Sequence, residues 1–241
     1  MNKEYFTIKL AEINIGIKAR SEDMRVFAKR FLSEEEPEFV VSASDKDIEE
    51  ERTRMIEYMG RGDASEQELE KLFIYRQIAE KLPDYNAFLV HGAALRVDND
   101  GYLLTGPSGA GKTTHAKLWK KVFTDRMRVI NDDKPILRIQ DNKIIAYGSP
   151  WSGKERWHNN LSAPLKAVIF VNQDKENHIE LMNRAQSWDK MMNQTYRSTN
   201  AENMKKTLAF IDKLINLVPM YSLYCKKGQH AVQIAYEEVS K

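Results

Sequence analysis

The sequence predicts an α/β protein, a mixed sheet flanked by helices, with a small N-terminal α+β lobe ahead of it. Three observations lead there. Residues 4–19 alternate between apolar and other side chains with period two, and helical spacing follows them. From about residue 87, short apolar strands take turns with helical segments to the end of the chain. Among these lies a glycine-rich turn, Gly106-Pro107-Ser108-Gly109-Ala110-Gly111-Lys112-Thr113-Thr114, entered from an apolar run and left by a helical pattern. The change of character divides the chain into a lobe, 1–84, and a main domain, 85–241.

In the lobe, Phe6, Ile8 and Leu10 share one face, and Ile13, Ile15 and Ile17 restart the period after Ala11-Glu12, which predicts two strands. Phe39-Val40-Val41 predicts a third. Helices are expected near 45–59 and 65–82. The second begins after Ser65 with Glu68 three positions on, the capping-box spelling. Acidic residues 34–36 and 49–51 read as solvated surface.

In the main domain, Ala87–Val97 reads as one strand carrying His91. The turn Asp98-Asn99-Asp100-Gly101 returns the chain into Tyr102–Thr105, so the strand before the glycine-rich turn has an antiparallel partner. His115–Phe123 is helical, and Arg128-Val129-Ile130 is a strand ending in Asn131-Asp132-Asp133. A hairpin follows, Ile136–Ile139 with Lys143–Tyr147, then a loop from Gly148 to about Ser162. Strands are expected at Ala167–Val171, Ile179–Met182 and Met220–Cys225, and helices near 184–196, 201–217 and 229–239. No internal repeat is visible.

Composition narrows the classes. With 42% hydrophobic and 30% charged residues, the chain has the make-up of a soluble globular protein. A formal charge of +2 gives no reason to expect nucleic acid or an anionic membrane as partner. No apolar stretch is long enough to cross a bilayer, and Met1-Asn2-Lys3-Glu4-Tyr5 has no apolar signal region behind it. Cys225 is the only cysteine, so no internal disulfide can form, and a cytoplasmic location is expected. It reads as a packed thiol on a strand.

The turn Gly106–Thr114 matches every fixed position of G-x-x-x-x-G-K-[ST], the P-loop. Glycines let backbone N–H groups close around a polyphosphate where a side chain would block the approach. Lys112 would reach the β- and γ-phosphates, the Thr113 hydroxyl would hold Mg²⁺, and the phosphates would lie at a helix N-terminus. ATP and Mg²⁺ are therefore the expected cofactors, bound by Gly106, Pro107, Ser108, Gly109, Ala110, Gly111, Lys112, Thr113 and Thr114.

Asp132-Asp133 lies at the end of the next strand, where P-loop enzymes need an acid near the magnesium. Two adjacent acids can divide the work, one serving the metal and the other acting as general base toward a hydroxyl. Like-charge crowding is expected to raise the pKa of at least one. The spacing does not fit transporter-type ATPases, whose acid comes much later, and no Asn-Lys-x-Asp motif of switch GTPases occurs. The segment Gly148–Trp157, with Lys154, Arg156 and two tryptophans, reads equally as a substrate-gripping loop or as a surface loop anchored by Trp151. Lys134 and Arg197 read as surface charges.

His91-Gly92-Ala93-Ala94-Leu95, the loop Gly106–Thr114 and Asn131-Asp132-Asp133-Lys134-Pro135 together resemble the HPr kinase/phosphorylase and phosphoenolpyruvate carboxykinase superfamily. The likeness is closest to bacterial HPr-kinase-related serine kinases and covers roughly residues 87–172. It implies the carboxykinase-like P-loop fold. It also places His91 and Asp133 in a catalytic centre with Lys112, Asp133 taking the proton of the acceptor, and puts Asp132 with Thr113 at the metal. Related kinases assemble into rings, so a homo-oligomer is implied. The chain lacks a Glu-Ile-Arg-Gly-type stretch after the acid pair, and HPr itself is not implied as the acceptor.

The resulting expectation is an ATP- and Mg²⁺-dependent phosphotransferase acting on a hydroxyl, first of all a serine in a protein or peptide. Two alternatives stand beside it: a nucleotide-binding regulatory protein without efficient transfer, and a kinase of a small metabolite on the same scaffold.

Overall fold

The computed structural model describes residues 4–226 and 228–241, the Met59 side chain excepted. The part of the N-terminal reading that falls on Met1-Asn2-Lys3 lies outside the described residues. Contacts divide the chain into two compact units, Met1–Leu82 and Pro83–Lys241.

In the first unit, β1 (Phe6–Leu10) and β2 (Ile13–Lys18) form a hairpin with Ile8 opposite Ile15. Its two turn residues, Ala11 and Glu12, are left-handed at φ 50° and 59°, the twist a two-residue turn needs. A helix not anticipated from sequence, α1 (Glu22–Phe27), precedes β3 (Leu32–Ser33), and β4 (Phe39–Ser42) completes a sheet ordered β3-β1-β2-β4. The helices α2 (Asp45–Met59) and α3 (Glu66–Lys81) each begin with a capping box, Ser44 with Asp47 and Ser65 with Glu68. One expectation fails here. Glu51, read as solvated, is 1% exposed and takes Arg76 Nε on both oxygens at 3.0 and 2.9 Å. Its position on the face α2 turns toward α3 required a partner that the local charge run did not reveal.

The second unit is a curled mixed sheet with helices on both faces. The segment read as one strand is two, β5 (Ala87–Leu89) and β6 (Gly92–Val97), because the first pairs with the distant hairpin and the second with the central sheet. Next come β7 (Asp100–Thr105), α4 (Lys112–Phe123), β8 (Met127–Asn131), β9 (Ile136–Gln140) and β10 (Lys143–Tyr147). The strand β11 (Ser162–Gln173) is more than twice the expected length, since its start pairs with β10 and its end with β7 and with β13 (Met220–Cys225). The remaining elements are β12 (His178–Leu181), α5 (Arg184–Gln194), α6 (Ala201–Leu217) and α7 (Gln229–Val239).

Alternation along the central strands builds two cores. Tyr102, Leu104, Ile169 and Val171 face α4 and α7, where Trp119 lies among Tyr102, Phe123 and Tyr236. Leu103, Val168 and Phe170 face the other way and share a core with Met191 of α5 and Phe210 of α6. Strand polarity then decides where function can gather. The strands β7, β11 and β13 run parallel, and β8 joins that direction through two antiparallel steps across β6. The C-terminal ends of all four, and the N-terminal start of β6, therefore lie on one edge of the sheet. Among the described residues no helix is long and apolar enough to cross a membrane.

Two predictions concern stability. His115 is 3% exposed, and burial lowers its pKa from 6.5 to about 4, so the fold holds it neutral. Between those two pH values the unfolded chain takes up a proton that the folded chain refuses. This contribution is complete above about pH 6.5 and falls by about 3 kcal/mol as pH drops toward 4. Denaturant titrations from neutral to acid pH should give a shallower decline for His115→Phe than for the wild type, and equal slopes would refute the assignment. At Gly148 a Cβ would lie 1.9 Å from Asn159 O. Gly148→Ala should therefore cost about 3 kcal/mol, read from the unfolding midpoint, and an unmoved midpoint would contradict so close an approach.

Candidate functional site

The chain leaves β7 through Gly106 at φ 137° and passes Gly109 at 81° and Gly111 at 104° before α4 begins. L side chains rarely adopt such angles, which explains the glycines. Ala110 N–H donates to Pro107 O at 3.2 Å and closes the loop. No side chain caps α4 at Gly111, and the first intrahelical bond shown is His115 N–H to Gly111 O. The N–H groups before it lack helical acceptors, a ready anion site. Lys112 arches back over the loop, Nζ donating to Gly106 O at 2.9 Å and Pro107 O at 3.0 Å. Its pKa is lowered, first by burial, with Lys134 adding to the effect and Asp133 opposing it.

Across the edge, β8 ends in Asn131, which is wholly buried. Asn131 Oδ1 accepts the N–H groups of Asp133 at 2.8 Å and Lys134 at 2.6 Å, bending the chain so that the acid pair leaves the strand in a fixed turn. Its Nδ2 donates to Ser149 O at 3.0 Å and Trp151 O at 2.9 Å. One side chain thus joins the acid turn to the loop that follows β10.

The two acids part company. Asp132, 6% exposed, accepts Gly153 N–H on Oδ1 at 2.7 Å, and its pKa is raised. Burial is the main cause and the charge of Asp133 a lesser one, so desolvation outweighs the like-charge crowding expected from sequence. Asp133 stays half-buried, with Oδ1 3.5 Å from His91 Nδ1 and Oδ2 3.5 Å from Lys134 Nζ.

His91 is not on a strand. It sits between β5 and β6, held by its N–H to Gln194 O at 2.7 Å and by Thr105 Oγ1 donating to its carbonyl at 2.6 Å. Burial, then Lys134 and Lys112, push its pKa down to about 4 against the pull of Asp133. The ring is neutral at pH 7, and Lys134 Nζ lies 3.3 Å from Nδ1. Lys134 is therefore no surface charge but the fourth member of a cluster with His91, Lys112 and Asp133. A lysine directly after an acid pair in a strand-end turn was the signal for it.

The other expected residues are placed as follows. Pro107 and Ser108 form the exposed tip of the loop, and Thr113 and Thr114 open α4. Among the described residues no hydrogen bond joins Thr113 to Asp132. Arg197 is exposed and Cys225 is buried. The segment Gly148–Trp157 is buried from Gly148 to Trp151, as the anchored-loop reading expected, and turns Lys154 and Arg156 outward. Lys117 Nζ bonds Glu155 at 2.7 Å, and Lys120 stacks over the Trp157 ring at 5.1 Å, tying this loop to α4. No three His, Cys, Asp or Glu side chains gather as a metal cage among the described residues. A magnesium site of the P-loop kind needs none, since one or two protein oxygens, phosphates and water fill its shell. Thr113 and Asp132 are donors of the right hard-oxygen type.

No curated protein matches the chain. Among solved structures, the Hpr(Ser) kinase/phosphatase from Coxiella burnetii is similar at 12% identity with a TM-score of 0.35, over 64% of this chain and 99% of that one. The family model described as SynChlorMet cassette protein ScmC matches residues 63–235 of the 241. With well over half of its length inside that match, the chain belongs to the ScmC family.

Proposed function

We propose that the chain is an ATP- and Mg²⁺-dependent phosphotransferase that delivers a γ-phosphoryl group to a hydroxyl, in the first instance a serine of a protein or peptide. The observation that carries this reading is the convergence of Lys112, His91, Asp133 and Lys134 beside the glycine loop. A polyphosphate-binding loop, two ammonium groups and a half-buried carboxylate are the parts that phosphoryl transfer asks of a protein. On the same reading the main domain, 85–241, has the carboxykinase-like P-loop arrangement, which the acid pair on the strand after the loop helix supports.

The residues divide the work by their surroundings. The loop N–H groups and Lys112 hold the phosphates and balance charge as it develops. Thr113 and Asp132 would hold Mg²⁺, which when bound would supply positive charge against the phosphates. Asp133 keeps both oxygens near partners that leave at longer than hydrogen-bond distance, so it can accept the hydroxyl proton as that oxygen attacks phosphorus. His91, uncharged, walls the base without adding cationic charge, and Lys134 supplies that charge instead.

Two variants test the assignment. Lys112→Ala should weaken MgATP binding by about tenfold or more in calorimetry. Asp133→Asn should bind MgATP within a few-fold of wild type yet lose about 10²–10⁴-fold in labelled-phosphate transfer to acceptors in a cell extract. Transfer by Asp133→Asn at the wild-type rate would remove the base assignment. Wild-type protein that binds MgATP and never transfers phosphate would make the chain a nucleotide-binding regulator instead.

A further inference from the structure

Two strand ends on the functional edge, those of β11 and β13, take no part in the cluster. Together with α4 they border a half-open cavity of about 290 Å³. Val171 and Cys225 supply buried apolar surface, Leu118 of α4 another wall, and Gln173 and Asp174 polar groups. The remaining wall is the glycine loop itself, Gly109 to Gly111, so the cavity is continuous with the proposed phosphate site. Gln173 Nε2 donates to Gly109 O at 2.8 Å, which fixes the loop's tip to the end of β11.

His115, the first residue of α4 to bond back into the helix, also lines this cavity. Its Nδ1 accepts the Trp119 indole N–H at 3.0 Å, so the neutral ring carries its hydrogen on Nε2. That Nε2 is buried without a partner among the described residues.

We propose that this cavity receives the nucleoside, base and ribose, of the nucleotide whose phosphates the loop holds. The inference rests on the phosphotransferase reading and gives that site its second half. Topology supplies the reason. In strand order β13-β11-β7-β6-β8, the cavity lies on the β11 side of the loop strand and the acid pair on the β8 side. In-line transfer needs leaving group and acceptor on opposite sides of the phosphorus, and this order separates them that way. Open sheets bind ligands outside the carboxyl ends of parallel strands, where this cavity lies. Its size, at the small end of the roughly 300–1,000 Å³ range for ligand pockets, suits a nucleoside better than a peptide.

The test compares MgATP with magnesium tripolyphosphate, which offers the loop the same phosphates and the cavity nothing. In calorimetry Leu118→Trp, which fills the cavity, should weaken MgATP by about tenfold or more and leave tripolyphosphate within about twofold. The wild type carries its own reporter in Cys225, the only cysteine. Burial raises its thiol pKa, so alkylation by iodoacetamide is followed at about pH 9. Saturating MgATP should slow it by about tenfold and saturating tripolyphosphate should not. If ATP leaves Cys225 as reactive as tripolyphosphate does, the nucleoside lies elsewhere while the phosphate reading stands. If neither compound binds the wild type, the phosphate reading fails and this inference goes with it.

Discussion

The site depends on the buried amide of Asn131. A primary amide has two donors and an acceptor with two lone pairs, and here nearly all of that capacity is spent on backbone groups of two separate segments. The acceptor end shapes the turn that aims Asp132 and Asp133, and the donor end holds the start of the Gly148–Trp157 loop. Removing it would leave buried carbonyls and N–H groups unpaired at about 1–3 kcal/mol each, well beyond the net worth of the bonds themselves. Ser149, also fully buried, extends the network by donating to Lys134 O at 2.6 Å, so even the lysine's backbone belongs to it. Such a network fixes one geometry rather than merely stabilising the fold.

Electrostatics follows from that geometry. Lys112 and Lys134 lie near Asp133, with neutral His91 beside them and Asp132 buried next to Asp133 in the chain, two positive charges against two negative. The array is close to balanced. A triphosphate arriving at the loop would overturn that balance, and the partial positive charge of the α4 N-terminus offsets only a fraction of it. A divalent cation would restore it, and burial raises the pKa of Asp132. Desolvation of Lys112 acts in the same sense, sharpening its preference for an anion.

Much of this was legible in the sequence, and what was not has physical causes. Period-two alternation found the lobe's hairpin and the central strands, because each face of those strands meets its own core. The glycine loop was visible because its backbone angles exclude other residues. The break at Val90-His91 was hidden, since both halves are apolar and only their distant partners separate them. The helix α1 was missed because it is one and a half turns long and Ser21 gives it no side-chain cap. Glu51 and Lys134 were misjudged for a common reason. A charged side chain announces burial only through its partner, and Arg76 meets Glu51, as His91 meets Lys134, only once the chain is folded.

The Gly148–Trp157 loop adds a constraint of its own. Its glycine N–H holds Asp132, its Glu155 holds Lys117, and its Trp157 lies under Lys120. The loop therefore holds the acid turn at several points, Trp157 O accepting the Asp132 N–H at 3.0 Å among them, and α4 at two, so neither can shift without straining it. Gly153 is small for a reason, since a Cβ there would come within 3.3 Å of Asp132 Oδ2. Lys154 and Arg156, on the outward side of the same short segment, carry exposed positive charge.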